Sequence, residues 1–206
     1  MNAARRRQGF TLLELMIVMV ILSILIAAFL VVSGRIFGKG KVTEAESRLA
    51  QLSTLIEQYR TVEGEYPDDR LPNDLGANDI NSSSEALFVA LFAAGYTGQS
   101  PDNDWLSNTD GDQATRAVTR LPGRDLFEIC DPWGNPIVYF ESLHYASTRD
   151  VLYWATEAGM DLPDENSVSP ARDQQTGDFE QANRFQLLSA GPDGWFGTED
   201  DVANYE

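Results

Sequence analysis

Residues 5 to 32 constrain this chain more than any other stretch. Three arginines (Arg5, Arg6, Arg7) are followed by Gly9-Phe10, one acidic residue at Glu14, and then an apolar run. From Leu15 to Val32 no residue is charged, and nearly all are Leu, Ile, Val, Met, Ala or Phe. An apolar run of 18 residues is long enough to be a transmembrane helix. Arginines on its N-terminal side keep the leader cytoplasmic and send the C-terminal part across the membrane. A secretory signal peptide is the other reading of a basic-then-apolar start. The run is longer than a usual signal core, no small-x-small cleavage site follows it cleanly, and that reading leaves Gly9-Phe10 unexplained.

Glu14 is the informative residue of this stretch. A carboxylate at the edge of a membrane-inserted run costs a few kcal/mol unless it is paired, so it is a functional candidate. Cleavage after Gly9 would create a positive amino terminus at Phe10, about one helical turn away. Within one chain or between packed chains, that terminus could neutralise Glu14. The basic leader followed by Gly9-Phe10-Thr11-Leu12-Leu13-Glu14-Leu15 resembles the class III signal of type IV pilins and type II secretion pseudopilins. The resemblance implies cleavage between Gly9 and Phe10 by a prepilin peptidase. It also implies methylation of the Phe10 amine, and Glu14 as the acidic fifth residue of the mature chain.

An amphipathic pattern continues past Gly38-Lys39-Gly40. Val42, Ala45, Leu49, Leu52, Ile56 and Tyr59 recur at spacings of three and four, with Glu44, Glu46, Arg48, Glu57 and Arg60 on the other faces. The pattern predicts one helix from Phe10 to Glu63, roughly 80 Å long at about 1.5 Å per residue. Half would lie in lipid or against neighbouring stems, and half would cover a sheet. Gly34, Gly38 and Gly40 weaken the join, and Gly64 with Pro67 marks the stop. The expected divisions are a leader at 1–9, a membrane or filament-core helix at 10–37, an amphipathic half at 38–64, and a globular domain at 65–206.

Within that domain, Ser84 to Tyr96 predicts a second helix with Ser83 or Ser84 as N-cap and Gly95 near its end. Leu87, Phe88, Leu91 and Phe92 form its core face. Residues 97–120 read as surface loop. In that loop Thr109-Asp110-Gly111-Asp112 has calcium-like composition, but no twelve-residue EF-hand loop with a terminal Glu follows, so solvated loop is the expectation. Asp131-Pro132-Trp133-Gly134-Asn135-Pro136 predicts a turn into a strand at Ile137–Phe140, with Trp133 packed on the sheet or the long helix. Val151–Ala155 predicts a strand, and 161–182 reads as polar loop. Phe185–Ser189 predicts the last strand. His144, the only histidine, has no sequence neighbour suggesting a triad or a zinc site. The fold class is α+β: a long helix packed on a small antiparallel sheet, with loop insertions at 68–125 and 141–183.

Charge narrows the function. The chain carries −17, so losing the three leader arginines leaves −20, a surface that repels phosphate backbones and argues against nucleic-acid partners. Cys130 is the single cysteine, so no intramolecular disulfide forms and a buried thiol is expected. Asp193, Glu199, Asp200 and Asp201 crowd a glycine-interrupted tail. A hard cation there would relieve their repulsion, and an acidic solvated tail is the alternative. The hexapeptide at 131–136 resembles a signature of the major pseudopilin of type II secretion, as does the Tyr59–Pro67 helix end. The tail resembles that subunit's calcium loop. The resemblance implies bound calcium, with Asp193 and Asp200 or Asp201 as side-chain ligands and the carbonyl of Ala190 as a further one.

Residues and resemblance together imply a structural subunit of a type II secretion pseudopilus and not an enzyme. Its implied partners are further copies of itself, minor pseudopilins, the prepilin peptidase, the inner-membrane assembly platform and the membrane. Its implied location is the bacterial inner membrane, single-pass, with the globular domain periplasmic, and then the filament. The alternatives are a type IV pilin for adhesion, motility or DNA uptake, and a membrane-tethered calcium-binding module that does not polymerise.

Overall fold

A computed structural model of the chain describes residues 12–153 and 164–205, with the side chains of 27–39 outside the description. Gly9, Phe10, Trp154 and Ala155 therefore lie outside the described residues. Helix α1 runs Leu12–Glu63. The chain divides into two units, with the boundary after Gly40.

In the first unit, the large apolar side chains from Leu12 to Ile26 are exposed on every side of the helix. A helix apolar all round requires a lipid or protein environment. Ser23, the one hydroxyl in this stretch, satisfies itself by donating to the Met19 carbonyl at 2.7 Å. Among the described residues no helix is long and apolar enough to cross a membrane. The anticipated span, Leu15–Val32, extends into residues whose side chains are outside the description.

The second unit builds its core on the C-terminal part of α1. Ala45, Leu49, Leu52, Leu55 and Ile56 are buried, with Val42 and Tyr59 packed at the margin, as the three-and-four spacing predicts. Gly64 ends the helix in a left-handed conformation (φ +93°), its N–H donating to the Arg60 carbonyl at 2.9 Å. Helix α2, Ser82–Phe92, lays Leu87, Phe88, Leu91 and Phe92 on the same core.

Helix α2 starts before the predicted position and is not capped by a serine. Asn81 takes the N-cap position in a left-handed conformation (φ 56°), with no side-chain cap bond. Ser83 and Ser84 are buried in the first turn and fasten the helix to strands instead. The Ile129 N–H donates to Ser84 Oγ at 3.0 Å and the Tyr139 N–H to Ser83 Oγ at 3.4 Å. Ala93, with ψ 140°, ends the helix ahead of Gly95.

The described strands form three antiparallel sheets. β1 (Leu106–Ser107) pairs with β2 (Glu128–Ile129). β3 (Val138–Glu141) and β4 (Arg149–Tyr153) lie in different sheets, β4 pairing with β5 (Asp164–Val168). β3 pairs with β6 (Phe185–Ser189), which also pairs with β7 (Val202–Ala203). The β3–β6 register runs from Val138↔Leu188 to Glu141↔Phe185, and Tyr139, Phe185 and Leu187 join the core of α1 and α2. The α+β expectation holds, with the single small sheet replaced by three pieces.

Loop expectations are corrected in two places, and the tail gains a strand. Residues 106–107 are a strand, and Trp105 just before them lies 5.3 Å from the Arg48 guanidinium. Residues 164–168 pair with β4 although only Val168 is buried. Backbone pairing holds that polar strand, so no hydrophobic alternation marks it. Beyond the acidic stretch, Val202 and Ala203 return to pair with Ser189 and Leu188. The tail is therefore a loop clamped between two strands.

Candidate functional site

The tail loop is anchored by the turn at 131–136. Asp131 Oδ1 accepts the N–H groups of Trp133 (2.9 Å) and Asn135 (3.0 Å), and Gly134 supplies a φ of +94° that side chains resist. Asp131 Oδ2 accepts the Ser189 hydroxyl at 2.7 Å, and the Gly191 N–H donates to Ser189 Oγ at 3.3 Å. Burial pushes the Asp131 carboxyl up, opposed by the Ser189 and backbone donors. The hexapeptide thus reaches the first residues of the tail loop. Trp133 packs at the margin of the core. Cys130 is buried, and burial pushes its thiol up.

The loop closes tightly. Gly191 (φ +65°) lies so near the Asp200 carbonyl that a β-carbon there would overlap its oxygen. Asp193 Oδ1 accepts the Trp195 N–H at 2.7 Å, and the Asp193 N–H donates to Asp200 Oδ2 at 3.1 Å. Asp200 Oδ1 accepts the Thr198 hydroxyl at 2.5 Å, and Asp201 Oδ2 accepts the Gly197 N–H at 2.7 Å. Asp201 Oδ1 is buried with no hydrogen-bond partner. Burial pushes the Asp201 carboxyl up to about 6, and the charges of Asp193 and Asp200 add to the rise. Ala190 is fully buried, and Glu199 is exposed. An unpartnered carboxylate oxygen in a glycine-hinged loop of oxygen donors suits a hard cation.

Two other groups bring three potential ligand atoms within 4.8 Å of one another among the described residues: Asp68–Asp69–His144 and Glu85–Asp110–Glu128. The tail aspartates do not converge that closely. In the first group Asp69 is fully buried and satisfied. Its Oδ1 lies 2.6 Å from His144 Nδ1, and its Oδ2 accepts Arg149 Nη2 at 2.6 Å and the Glu141 N–H at 3.0 Å. His144 is a paired structural histidine. The second group is absent from the expectations drawn on the sequence. Its loop, 109–112, reads as solvated there, whereas the fold sets it against buried Glu85 of α2 and Glu128 of β2. The Asp-Gly-Asp composition is the one signal available, and its partners come from distant segments.

Glu14 occupies the first turn of α1 and is exposed. Its expected counterpart, the Phe10 amine, lies outside the described residues, as does the Gly9–Phe10 cleavage position. A family model, the prokaryotic N-terminal methylation motif, matches residues 4–30. Over its whole length the chain is 28% identical to the type II secretion system core protein G of Escherichia coli (strain K12), covering 95% of that relative. The chain resembles the major pseudopilins of type II secretion. In this pseudopilin-like chain the likeness runs through both insertions, 68–125 and 141–183, which the motifs alone leave unmatched. No solved structure matches.

Proposed function

We propose that the chain is a structural subunit of a type II secretion pseudopilus, assembled through its N-terminal helix. The observation that carries this reading is the full-length likeness to core protein G in a chain that also bears the methylation motif at its start. The helix from Leu12 to Ile26 supports it, because apolar side chains exposed all round need lipid before assembly and neighbouring stems afterwards.

The steps are those that the likeness to pseudopilins implies. A prepilin peptidase cleaves between Gly9 and Phe10, and the new amine is methylated. The subunit waits in the inner membrane with residues 65–206 on the periplasmic side. It is then drawn into a filament of like subunits and minor pseudopilins by the assembly platform. Glu14 pairs with the Phe10 amine of a neighbour, which fixes register while the stem leaves lipid. One surface binding a different surface on the next copy gives an open, extendable filament. Calcium belongs to the same reading, held by Asp193, by Asp200 or Asp201, and by the Ala190 carbonyl. The unpartnered Asp201 Oδ1 favours Asp201. The ion would lock the loop between β6 and β7.

Glu14→Ala tests the assembly step. Expressed with the secretion machinery, it should be cleaved and methylated normally yet yield few filaments in the sheared fraction. Normal filaments from this variant would overturn the register role of Glu14. A wild-type chain that stays wholly in the membrane fraction would favour the tethered module.

A further inference from the structure

Four acidic side chains from three segments meet where α2 begins, beside β2. Glu85 is fully buried, and neither of its carboxylate oxygens receives a hydrogen bond from an N–H or hydroxyl donor; its nearest polar contact is another carboxyl, Asp112. Asp112 Oδ1, from the 109–112 loop, is likewise buried with no N–H or hydroxyl donor, its contact being the Glu85 carboxyl. Glu128 is fully buried and accepts from Asn81 Nδ2 (3.1 Å) and the Thr109 N–H (2.8 Å). Asp110 accepts the Asp112 N–H at 3.2 Å and Asn78 Nδ2 at 2.9 Å. Among the described residues no Lys, Arg or His forms an ion pair with any of the four.

We propose that Glu85, Asp110 and Glu128, with Asp112 beside Glu85, form a second calcium site, separate from the tail loop. Calcium takes its oxygens at about 2.3–2.6 Å, so ligands on opposite sides of one ion stand about 5 Å apart. The ligand atoms of Glu85, Asp110 and Glu128 lie within 4.8 Å of one another, so one ion can reach all three. The donor set is all oxygen, which disfavours soft metals. Full burial of Glu85 and Glu128 leaves little room for the water shell that magnesium keeps, which favours calcium. The loop is also built to hold its shape. Asn108 Oδ1 accepts the Gly111 N–H at 2.7 Å, Asn108 Nδ2 donates to the Asp112 carbonyl at 2.9 Å, and Gly111 adopts φ +80°.

Without a cation, protons must do the neutralising. Burial, together with the Asp112, Asp110 and Glu128 carboxylates, pushes the Glu85 carboxyl up to about 10; burial and Asp110 push Glu128 up to about 7 against the Thr109 and Asn81 donors. Calcium would displace those protons, so its affinity should rise with pH.

The test counts calcium on the full-length processed chain in detergent, by equilibrium dialysis against radioactive calcium, for the wild type, Glu85→Gln, Glu128→Gln and Asp201→Asn. The expected result is that Glu85→Gln and Glu128→Gln each bind one calcium fewer than the wild type. Asp201→Asn should keep this site, so a failure of the tail-loop reading is visible separately. In chelator Glu85→Gln should melt no lower than the wild type, because glutamine copies the neutral carboxyl. Should it melt far lower, the half-exposed Asp110→Asn replaces it, with weaker calcium binding expected. Variants that bind as much calcium as the wild type, as tightly, would overturn the site and leave a proton-sharing cluster.

Discussion

Asp69 and Glu85 are both carboxylates with no exposed surface, and the fold treats them in opposite ways. Asp69 receives a guanidinium from Arg149, a ring nitrogen from His144 and a backbone N–H from Glu141. Glu85 receives no N–H or hydroxyl donor and faces other carboxyls, Asp112 closest, then Asp110 and Glu128. Burial alone therefore does not single out a site. A buried charge with its own counter-charge ties loops together, whereas one surrounded by like charges needs a proton or a cation from outside.

The largest expected effect breaks the satisfied member of this pair. Asp69→Ala leaves Arg149, only 8% exposed, without its counter-charge. The loss should destabilise the globular unit by about 3–5 kcal/mol. A loss under about 1 kcal/mol in urea unfolding would mean that Arg149 reaches water. Next comes metal removal, which acts only on the unsatisfied carboxylates. At about 100 times its dissociation constant, each calcium site contributes about 2.7 kcal/mol, so chelator should lower the melting temperature of the wild type. An unchanged melt would remove calcium from both the tail loop and the Glu85 cluster.

Gly191→Ala sharpens the tail-loop side. It places a side chain at φ +65° and against the Asp200 carbonyl. The strain should cost about 1–3 kcal/mol even in chelator, read from urea unfolding. The last effect is a slope. An unfolded glutamate titrates near 4.5, whereas folded Glu85 holds its proton up to about 10. Between those values the native state binds the extra proton, so stability in chelator falls as pH rises, by about 1.4 kcal/mol per unit. Urea midpoints from about pH 5 to 7 should fall less steeply in Glu85→Gln. Parallel slopes would place Glu85 in water.

The parts legible in the sequence are those where one face or one turn does the work. The stripe from Val42 to Tyr59 packs into the core of the globular unit, and Phe185–Ser189 is β6 at the predicted bounds. The 131–136 turn leads into β3 as its turn residues predict. What stays hidden depends on chain segments far apart in sequence. Asp164–Val168 is a strand because β4 offers it backbone partners, and Val202–Ala203 because β6 does. In the cluster, Glu85 sits between the three serines and the apolar run of α2, and Glu128 in a two-residue strand. Neither shares a motif with Asp110-Gly111-Asp112, so only the fold brings them together. For the tail, composition suggests calcium, but two residues are too few to announce the strand that clamps the loop.

A stem that is cut, methylated and built into a filament is the centre of the proposed function. Mass spectrometry of filaments sheared from cells carrying the full secretion machinery tests all three steps in one measurement. The filaments should contain this chain starting at N-methylated Phe10. Sheared material without the chain, or a filament-borne chain that still begins at Met1, would contradict it.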